Sequence, residues 1–336
     1  MPTSEGSVLR PAVVALDVGG TYVKCLTVDE TGVLASDSVP TRAADGPEAA
    51  FRVVCEAATA ALGALPPTHT AAGIGLAVPG TVDEHRGVCV HSENLGWREL
   101  PVVERLAAHT GLPVGFGHDV RAGATAERRL GAGLDAGAPV ADQLYVSVGT
   151  GLAAALVLDG RLVVSGGYAG EIGHGGATTG LPCVCGGHGC AETVASAAAI
   201  ARRYTAATGT TVDGARDVLA RATDGDAVAR QVWDDAVDVL GALVADLVRV
   251  TGVAHVVVGG GLIHAGDALL TPLRQAVGEL LTVHPEPRVV PAALGGAAGS
   301  WGAALLGWQA AGVDLDPVLT GYAELLRPGD GPAGAG

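Results

Sequence analysis

Short apolar runs alternate with glycine-rich turns and with longer amphipathic segments along most of the chain. The runs at residues 11–16, 72–78 and 254–258 have the length and the turn-residue boundaries of buried strands. Apolar side chains over residues 47–65 and 227–250 recur at helical spacing. Strands that alternate with helices in this way predict an α/β fold.

A strand followed by a glycine turn and a second strand occurs twice. Residues 11–16 lead into Asp17 and a Gly-Gly-Thr turn, and the next predicted strand covers 23–28. Residues 142–148 lead into a Gly-Thr-Gly turn, and the next predicted strand covers 153–158. Glycines after a strand allow the backbone to approach phosphate oxygens closely. One such hairpin alone favours an ordinary turn, but the duplication favours two phosphate-binding turns, with Asp17 near the metal that accompanies a nucleotide.

A carboxylate follows the strand predicted at residues 113–116 and precedes a helical run at 122–130. In this place Asp119 suits a general base that takes the proton of an attacking alcohol. A helix N-cap is the alternative interpretation, because Asp is favoured there.

The polar stretch 91–97 offers Asn94 as a candidate partner for a ligand hydroxyl. Its alternative is a plain polar loop capped by a half-buried tryptophan.

Three of the six cysteines lie within eight residues, and a histidine precedes them. His174, Cys183, Cys185 and Cys190 supply one imidazole and three thiolates, which is the ligand set of a closed, tetrahedral structural zinc site. The alternatives are a disulfide, which is disfavoured because nothing in the sequence suggests secretion, and unlinked buried thiols. His188 lies in the same loop and is a weaker alternative to His174 as the fourth ligand.

The composition and the length argue against several classes of protein and indicate the number of domains. A net charge of −15 argues against a nucleic-acid partner, because phosphate binding needs clustered cations. We find no apolar run of about 18 residues that would span a membrane and no signal-peptide pattern at the start, so we expect a cytoplasmic location and no membrane partner. The length of 336 residues suffices for two domains, and the small-residue segment 131–139 is the predicted boundary. Residues 1–10 and those from 328 onward are expected to be disordered.

A loop that a metal fixes, with carboxylates and an imidazole on it, suits a polyhydroxylated ligand such as a sugar. The stretch from Gly170 to Glu192 reads GEIGHGGATTGLPCVCGGHGCAE. Its GExGH and CxCGxxGCxE patterns resemble the signature of the ROK family of sugar kinases, open reading frames and repressors. The resemblance implies a two-lobed actin-like ATPase (ribonuclease H-like) fold. It places an N-terminal lobe at 11–130, a C-terminal lobe at 140–300, and a C-terminal helix at 300–325 that returns to the N-terminal lobe.

By the same resemblance, the chain is expected to be an ATP-dependent kinase for the 6-hydroxyl of a hexose, most readily glucose, with Asp119 as the general base. The implied cofactors are ATP, Mg²⁺ and structural Zn²⁺, and the implied assembly is a homodimer or homotetramer. The expected sugar-binding residues are Gly80, Asn94, His118, Asp119, Glu171, His174 and Glu192. The expected nucleotide-binding residues are Asp17, Gly19, Gly20, Thr21, Lys24, Gly149, Thr150, Gly151, Gly259, Gly260 and Gly261.

The residues around the expected base depart from the family pattern. The family reads Asn-Asp-Ala-Asn, whereas this chain reads His118-Asp119-Val120-Arg121. An imidazole cannot bind adjacent hydroxyls as an amide does, so a kinase for a modified hexose or a cyclitol, such as kanosamine, a C7-cyclitol or an N-acylmannosamine, is the alternative. A sugar-responsive transcriptional repressor is less favoured, because the sixteen residues before Asp17 are too few for a helix-turn-helix domain.

Overall fold

The computed structural model of the chain describes residues 9–175 and 180–326. The described residues fall into two compact units, one formed by residues up to Leu130 together with those from Ala297 onward, and one formed by Gly131–Gly296. Of the segments expected to be disordered, residues 1–8 and those from 328 onward lie outside the described residues. Arg10, expected in the lead-in, is instead the first residue of a strand.

The first unit is built around a twisted five-stranded sheet. In chain order it begins with β1 (Arg10–Val18), β2 (Tyr22–Asp29), β3 (Gly32–Pro40), α1 (Pro47–Gly63), β4 (His69–Val78), β5 (Thr81–Asp83), β6 (Val88–Ser92), β7 (Trp97–Leu100), α2 (Val102–Thr110), β8 (Val114–His118) and α3 (Asp119–Leu130). The sheet order is β3-β2-β1-β4-β8, and β5, β6 and β7 form a separate antiparallel sheet. β1 runs antiparallel to β2 and parallel to β4, and β4 runs parallel to β8.

The second unit repeats this sheet. Its elements are β9 (Leu134–Asp135), β10 (Ala138–Pro139), β11 (Gln143–Val148), β12 (Leu152–Leu158), β13 (Arg161–Leu162), α4 (Glu192–Ala195), α5 (Ala197–Thr208), α6 (Ala215–Thr223), α7 (Ala227–Thr251), β14 (His255–Gly259), α8 (Asp267–Leu280) and β15 (Arg288–Pro291). The sheet order is β13-β12-β11-β14-β15, with the same orientations as in the first unit. The duplication predicted from the two glycine turns therefore extends to the whole sheet.

Two helices near the end of the chain belong to the first unit. They are α9 (Ala298–Ala310) and α10 (Leu315–Leu325). α9 packs on β1, β4 and β8, and on α3. The single helix expected over 300–325 is therefore two helices, and they are separated by a turn with Gly312 in a left-handed conformation, φ 71°.

Each unit has its own apolar core against one face of its sheet. In the first unit Phe51 of α1 packs edge-on against Trp97, with ring centroids 6.0 Å apart. In the second unit Trp233 and Leu240 of α7 lie in the core with the strands β11 and β14. None of the helices within 9–175 and 180–326 combines the length and the apolar character that a membrane crossing requires.

Two local expectations were wrong. Trp97 is not half-buried but 1% exposed, because it begins β7 in a hairpin with β6. The sequence over residues 193–205 predicts a single helix, whereas the structure has α4 followed by α5. Ser196 separates them with an extended backbone, and its hydroxyl caps α5 by accepting the Ala199 N–H at 3.1 Å. The predicted boundary segment 131–139 begins where the second unit begins, and it contains the β9–β10 hairpin.

Candidate functional site

Two carboxylates lie at the same edge of the first sheet. Asp17 is near the carboxyl end of β1, and Asp119 directly follows β8; both strands run parallel to β4. Burial and the charge of Asp119 raise the pKa of Asp17 to about 6, although Lys24 and a hydrogen bond to Ser300 lower it in part. Two carboxyl groups that repel each other at one sheet edge make a suitable place for a divalent cation.

The carboxyl of Asp119 combines a raised pKa with access from solvent. Burial of the carboxyl raises its pKa to about 6. The hydrogen bond from Val120 and the charge of Arg121 act in the opposite direction and lower the pKa in part. The side chain nevertheless stays 29% exposed. Its Oδ1 accepts the N–H of the next residue, Val120, at 2.7 Å, rather than that of the second or third following residue as in an N-cap. At neutral pH this group is ionised and able to accept a proton.

His118, the residue that departs from the family pattern, is buried beside Asp119. Its Nδ1 lies 3.3 Å from Asp119 Oδ1 and accepts the Val120 N–H at 3.2 Å. Because Nδ1 acts as an acceptor, the hydrogen-bond pattern assigns the proton of the neutral ring to Nε2. In this assignment Nδ1 is engaged by Val120, and Nε2 carries the N–H of the ring.

A buried ion pair next to the base was not predicted. Arg121 is 2% exposed, and its Nε and Nη2 donate to Glu84 Oε1 at 3.1 and 3.0 Å. The pair connects α3 to the turn between β5 and β6. Arg121 stands where the family has an asparagine, and this difference is the sequence signal that could have drawn attention to the ion pair. Its partner Glu84, 37 residues away, could not be predicted.

The first glycine turn lies against the predicted sugar-side loop. A side chain at Gly20 would meet the Cβ of Asn94 at 3.3 Å. The turn is closed by the Gly19 N–H, which donates to the Tyr22 carbonyl at 2.8 Å, and is held by the Thr41 hydroxyl, which donates to the Gly19 carbonyl at 2.7 Å. No sequence signal pointed to Thr41.

The other predicted residues of the first unit take the following positions. Thr21 and Lys24 are both exposed. Lys24 pairs with Asp17 in the β1–β2 register, and its charge lowers the pKa of that carboxyl. Gly80 has φ 107°, and a Cβ there would collide with the carbonyl of His91 and lie 2.9 Å from the Cα of Ser92. Glycine at position 80 is therefore required where the chain turns from β4 into β5.

The second glycine turn lines a cavity of about 400 Å³ in the second unit. Gly149, Thr150 and Gly261 of the predicted nucleotide residues border it. Unpredicted polar residues also border it, namely Asp213, Arg216 and His264. Such a volume, with apolar walls and a few polar groups, is typical of sites for small ligands.

The three consecutive glycines 259–261 at the end of β14 have two different roles, in packing and in lining the cavity. Gly259 and Gly260 are required by packing, since a Cβ at either position would collide with Tyr145 or with the main chain of Val148. Gly261 has no other heavy atom within 4 Å of its Cβ position and borders the cavity. Of the three, Gly261 leaves room for a ligand.

The four predicted metal ligands converge. The ligand atoms of His174, Cys183, Cys185 and Cys190 all lie within 4.8 Å of one another. The Sγ atoms of Cys185 and Cys190 are 3.6 Å apart, and Cys183 Sγ is 3.7 Å from His174 Nδ1. Ligands at zinc bond lengths occupy tetrahedron corners about 3.6–3.8 Å apart, so this cluster fits a zinc ion. His188 is not in the group and pairs with Pro182 in a β-bridge.

The two carboxylates beside the cluster have different surroundings. Glu171 Oε2 lies 3.9 Å from His174 Nε2, the ring nitrogen that does not face the thiols. Glu192 Oε2 instead accepts the backbone N–H of Leu152, the residue after the second glycine turn, at 2.9 Å. The structure thus brings Glu171 and His174 together, and it directs Glu192 toward the glycine turn.

Comparison with known proteins identifies the class and then the family. A ROK family glucokinase from Streptomyces griseus, solved in complex with glucose and AMPPNP, matches with a TM-score of 0.76 and 30% identity over 89% of this chain and 99% of its own. A glucokinase from Halalkalibacterium halodurans is 35% identical over 286 residues, 78% of this chain and 84% of the relative. An N-acetylmannosamine kinase from Citrobacter koseri is 32% identical over 88% of this chain and 98% of the relative. The protein has the α/β fold of ROK sugar kinases. Residues 13–310 match the ROK family model, and the chain belongs to the ROK family.

Proposed function

We propose that this protein is an ATP-dependent sugar kinase that phosphorylates the primary 6-hydroxyl of a hexose, most readily glucose, with Asp119 as the general base. The observation that carries the proposal is the Asp119 carboxyl, which is accessible, ionised at neutral pH, and close enough to Asp17 to raise the pKa of that group. The family assignment and the glucokinase relatives support the class of reaction.

In the proposed reaction Asp119 accepts the proton of the sugar hydroxyl. The sugar oxygen then forms a bond to the γ-phosphorus of ATP in line with the breaking bond to the β–γ bridging oxygen, and ADP leaves. Asp119 later releases its proton to solvent. Asp17 is the residue of this chain that would face the Mg²⁺, which supplies neutralisation of the phosphate charge.

The remaining predicted residues divide between nucleotide and sugar. The phosphates are assigned to the two glycine turns, through Gly19, Gly20, Thr21, Lys24, Gly149, Thr150 and Gly151. The adenosine is assigned to the cavity beside Gly261. The sugar hydroxyls are assigned to Gly80, Asn94, His118, Glu171, His174 and Glu192. His174, Cys183, Cys185 and Cys190 would hold a structural zinc ion that keeps the loop around them ordered.

The two units are proposed to form an actin-like ATPase fold of the ribonuclease H-like type. The support is the repeated sheet, in which both units show the same strand order and the same strand orientations. In each unit the hairpin that carries the glycine turn joins the first and second strands of the sheet.

A modified hexose, such as an N-acylmannosamine or kanosamine, or a C7-cyclitol is the second candidate substrate, and a specific observation favours it. An asparagine offers sugar hydroxyls both a donor and an acceptor, whereas the Nδ1 acceptor of His118 is already engaged by Val120. His118 Nδ1 is therefore not available as the acceptor that an asparagine amide would offer, which favours a sugar that differs from glucose at this position. The N-acetylmannosamine kinase relative is compatible with such a substrate.

A substrate panel tests the proposal. Purified protein with Mg-ATP is assayed for ADP release on glucose, mannose, N-acetylmannosamine, kanosamine and a valiolone-type cyclitol. We expect turnover on at least one of them, and a loss of about 10²–10⁴-fold in kcat for Asp119→Asn, with sugar binding retained. Near-native kcat in that variant would contradict the base assignment.

The His118→Asn variant is compared on the same panel. If glucose is the natural substrate, wild type and variant rank the sugars alike. If a modified sugar is the substrate, the variant shifts the ranking toward glucose. Sugar binding without turnover on any member of the panel would contradict the kinase assignment and leave a sugar-binding protein.

A further inference from the structure

The carboxylate of Glu192 is bonded to the second glycine turn. Its Oε2 accepts the Leu152 N–H at 2.9 Å. Two further backbone hydrogen bonds hold the same turn: the Ala197 N–H donates to the Gly149 carbonyl at 2.9 Å, and the Gly149 N–H donates to the Gly151 carbonyl at 2.9 Å. The segment around Glu192 thus contacts the turn on both sides.

The residue type at position 151 permits this contact. A Cβ at Gly151 would lie 2.8 Å from Glu192 Oε2, which is closer than such contacts allow. Any larger residue would displace the carboxylate from the Leu152 N–H. Glycine at this position therefore allows the Glu192 carboxylate to reach the Leu152 N–H. This requirement for glycine is independent of any close approach of a phosphate.

The metal cluster fixes the other end of the same short segment. Cys190, a member of the cluster, lies two residues before Glu192. The Thr193 hydroxyl donates to the Cys190 carbonyl at 2.6 Å, and the Ala191 N–H donates to the Gly175 carbonyl at 3.0 Å. Glu192, the first residue of α4, is therefore held two residues from the cluster, so that its side chain has a defined direction.

The turn held in this way borders the 400 Å³ cavity through Gly149 and Thr150. We propose that Glu192 is a positioning residue for the nucleotide: it links the metal cluster to the turn Gly149–Gly151 and so sets nucleotide affinity before any sugar binds. The proposal rests on the proposed function, because it takes the cavity to be the nucleotide site. It adds a role in nucleotide binding to a residue otherwise assigned to sugar hydroxyls.

Calorimetric titration with AMPPNP and Mg²⁺, in the absence of sugar, tests the proposal. Glu192→Ala should weaken nucleotide binding by about tenfold or more, since a hydrogen bond to a charged group is lost. Glu192→Gln should stay within about threefold of wild type, because the amide oxygen can still accept the Leu152 N–H. Glu171→Ala is the matched control: it removes the other carboxylate beside the cluster and should leave nucleotide affinity unchanged.

Gly151→Ala provides a second measurement if Glu192→Ala fails to fold. It keeps glutamate at position 192 but displaces its carboxylate from the Leu152 N–H, so it should also weaken AMPPNP binding. The zinc content of each variant is measured in parallel and should remain at the wild-type value. Equal nucleotide affinity in wild type and Glu192→Ala, or an equal loss in Glu171→Ala, would overturn the positioning role alone. No AMPPNP binding by wild type would overturn the proposed function as well.

Discussion

At the scale of single residues, the Asp119 carboxyl decides how the proposed reaction depends on pH. Its pKa is raised to about 6, so the ionised, proton-accepting form is lost as the pH falls through 6. An ordinary aspartate would remain ionised down to about pH 4. We therefore expect kcat/KM to rise with pH up to about 6 and then to level off. Initial rates between pH 4.5 and 8, at saturating Mg-ATP, measure this limb.

Two variants next to Asp119 extend the same pH experiment: one removes the buried Arg121, and the other serves as its control. Its positive charge lowers the pKa of Asp119, so Arg121→Met should move the acidic limb to higher pH. Glu84→Gln removes the partner charge and keeps Arg121, so the limb should not move upward. An acidic limb near pH 4 in wild type would show that the burial of Asp119 is not the cause of any pH dependence.

Single residues also show what a sequence can reveal of a site. Asp17 was predicted because it precedes a glycine turn that occurs twice in the chain, and Asp119 because it follows a predicted strand and precedes a helical run. The bond from Leu152 to Glu192 joins residues 40 positions apart, and no local pattern encodes it. The Arg121–Glu84 pair was missed for the same reason. Contacts across the fold become visible only when the elements are in place.

At the scale of elements, we expect the order of the loop between Gly170 and Glu192 to depend on a metal ion held by His174, Cys183, Cys185 and Cys190. Little regular structure is found in its described residues, apart from a short 3₁₀ turn at Ile172–His174. A chain segment with few helical or sheet hydrogen bonds needs another source of order, and a bound metal supplies it. The four ligands could be predicted because their spacing is local, and the structure brings all four together.

Metal analysis of the purified protein tests this dependence. We expect about one zinc per chain in protein prepared without chelators. Cys185→Ser should lose the metal and raise the KM for the sugar, because Glu171 and His174 lose their fixed positions. Cys55→Ser is the matched control, since Cys55 lies in α1 outside the cluster and its replacement should keep the zinc. Wild-type protein without zinc would contradict the assignment.

The elements themselves were predicted unevenly. Apolar runs identified strands well: the runs at 11–16, 72–78 and 254–258 correspond to β1, β4 and β14. α6 was not predicted, because its first and last turns carry Asp217 and Arg221 and its apolar face is short. Apolar residues continue at helical spacing on both sides of Ser196, so the sequence gives no sign that the helix breaks there. The break is seen in the structure, where the Ser196 hydroxyl caps α5.

At the scale of the whole molecule, the repetition of the sheet was foreseeable from two short turns. The addition of α9 and α10 to the first unit could be expected only from the family resemblance, because no sequence pattern specifies which sheet a distant helix covers. In the structure, the contact includes a buried hydrogen-bond chain. Trp308 Nε1 donates to the Tyr322 hydroxyl at 2.8 Å, and that hydroxyl donates to the Asp29 carbonyl at 2.8 Å.

Asp29 is the centre of this arrangement. Burial alone would raise the pKa of its carboxyl, but hydrogen bonds from Thr31 and His69 and the charge of Arg10 lower it overall. Its backbone carbonyl receives the tyrosine hydroxyl from α10, which lies 293 residues later in the sequence. The end of β2 is thereby tied to β4 through His69 and to α10 through Tyr322.

Removing the Tyr322 hydroxyl should therefore destabilise the first unit without changing the site. In Tyr322→Phe the indole N–H of Trp308 and the carbonyl of Asp29 both lose a partner in a fully buried position. Such a loss costs about 1–3 kcal/mol, which for a unit of this size lowers the melting temperature by about 2–12 °C. Thermal unfolding followed by calorimetry measures the change, and kcat at 25 °C should stay at the wild-type value. Tyr168→Phe is the control, because Tyr168 is 65% exposed and its replacement should leave the melting temperature unchanged. Equal melting temperatures for all three proteins would mean that packing of α9 alone, without this hydrogen-bond chain, holds the end of the chain on the first sheet.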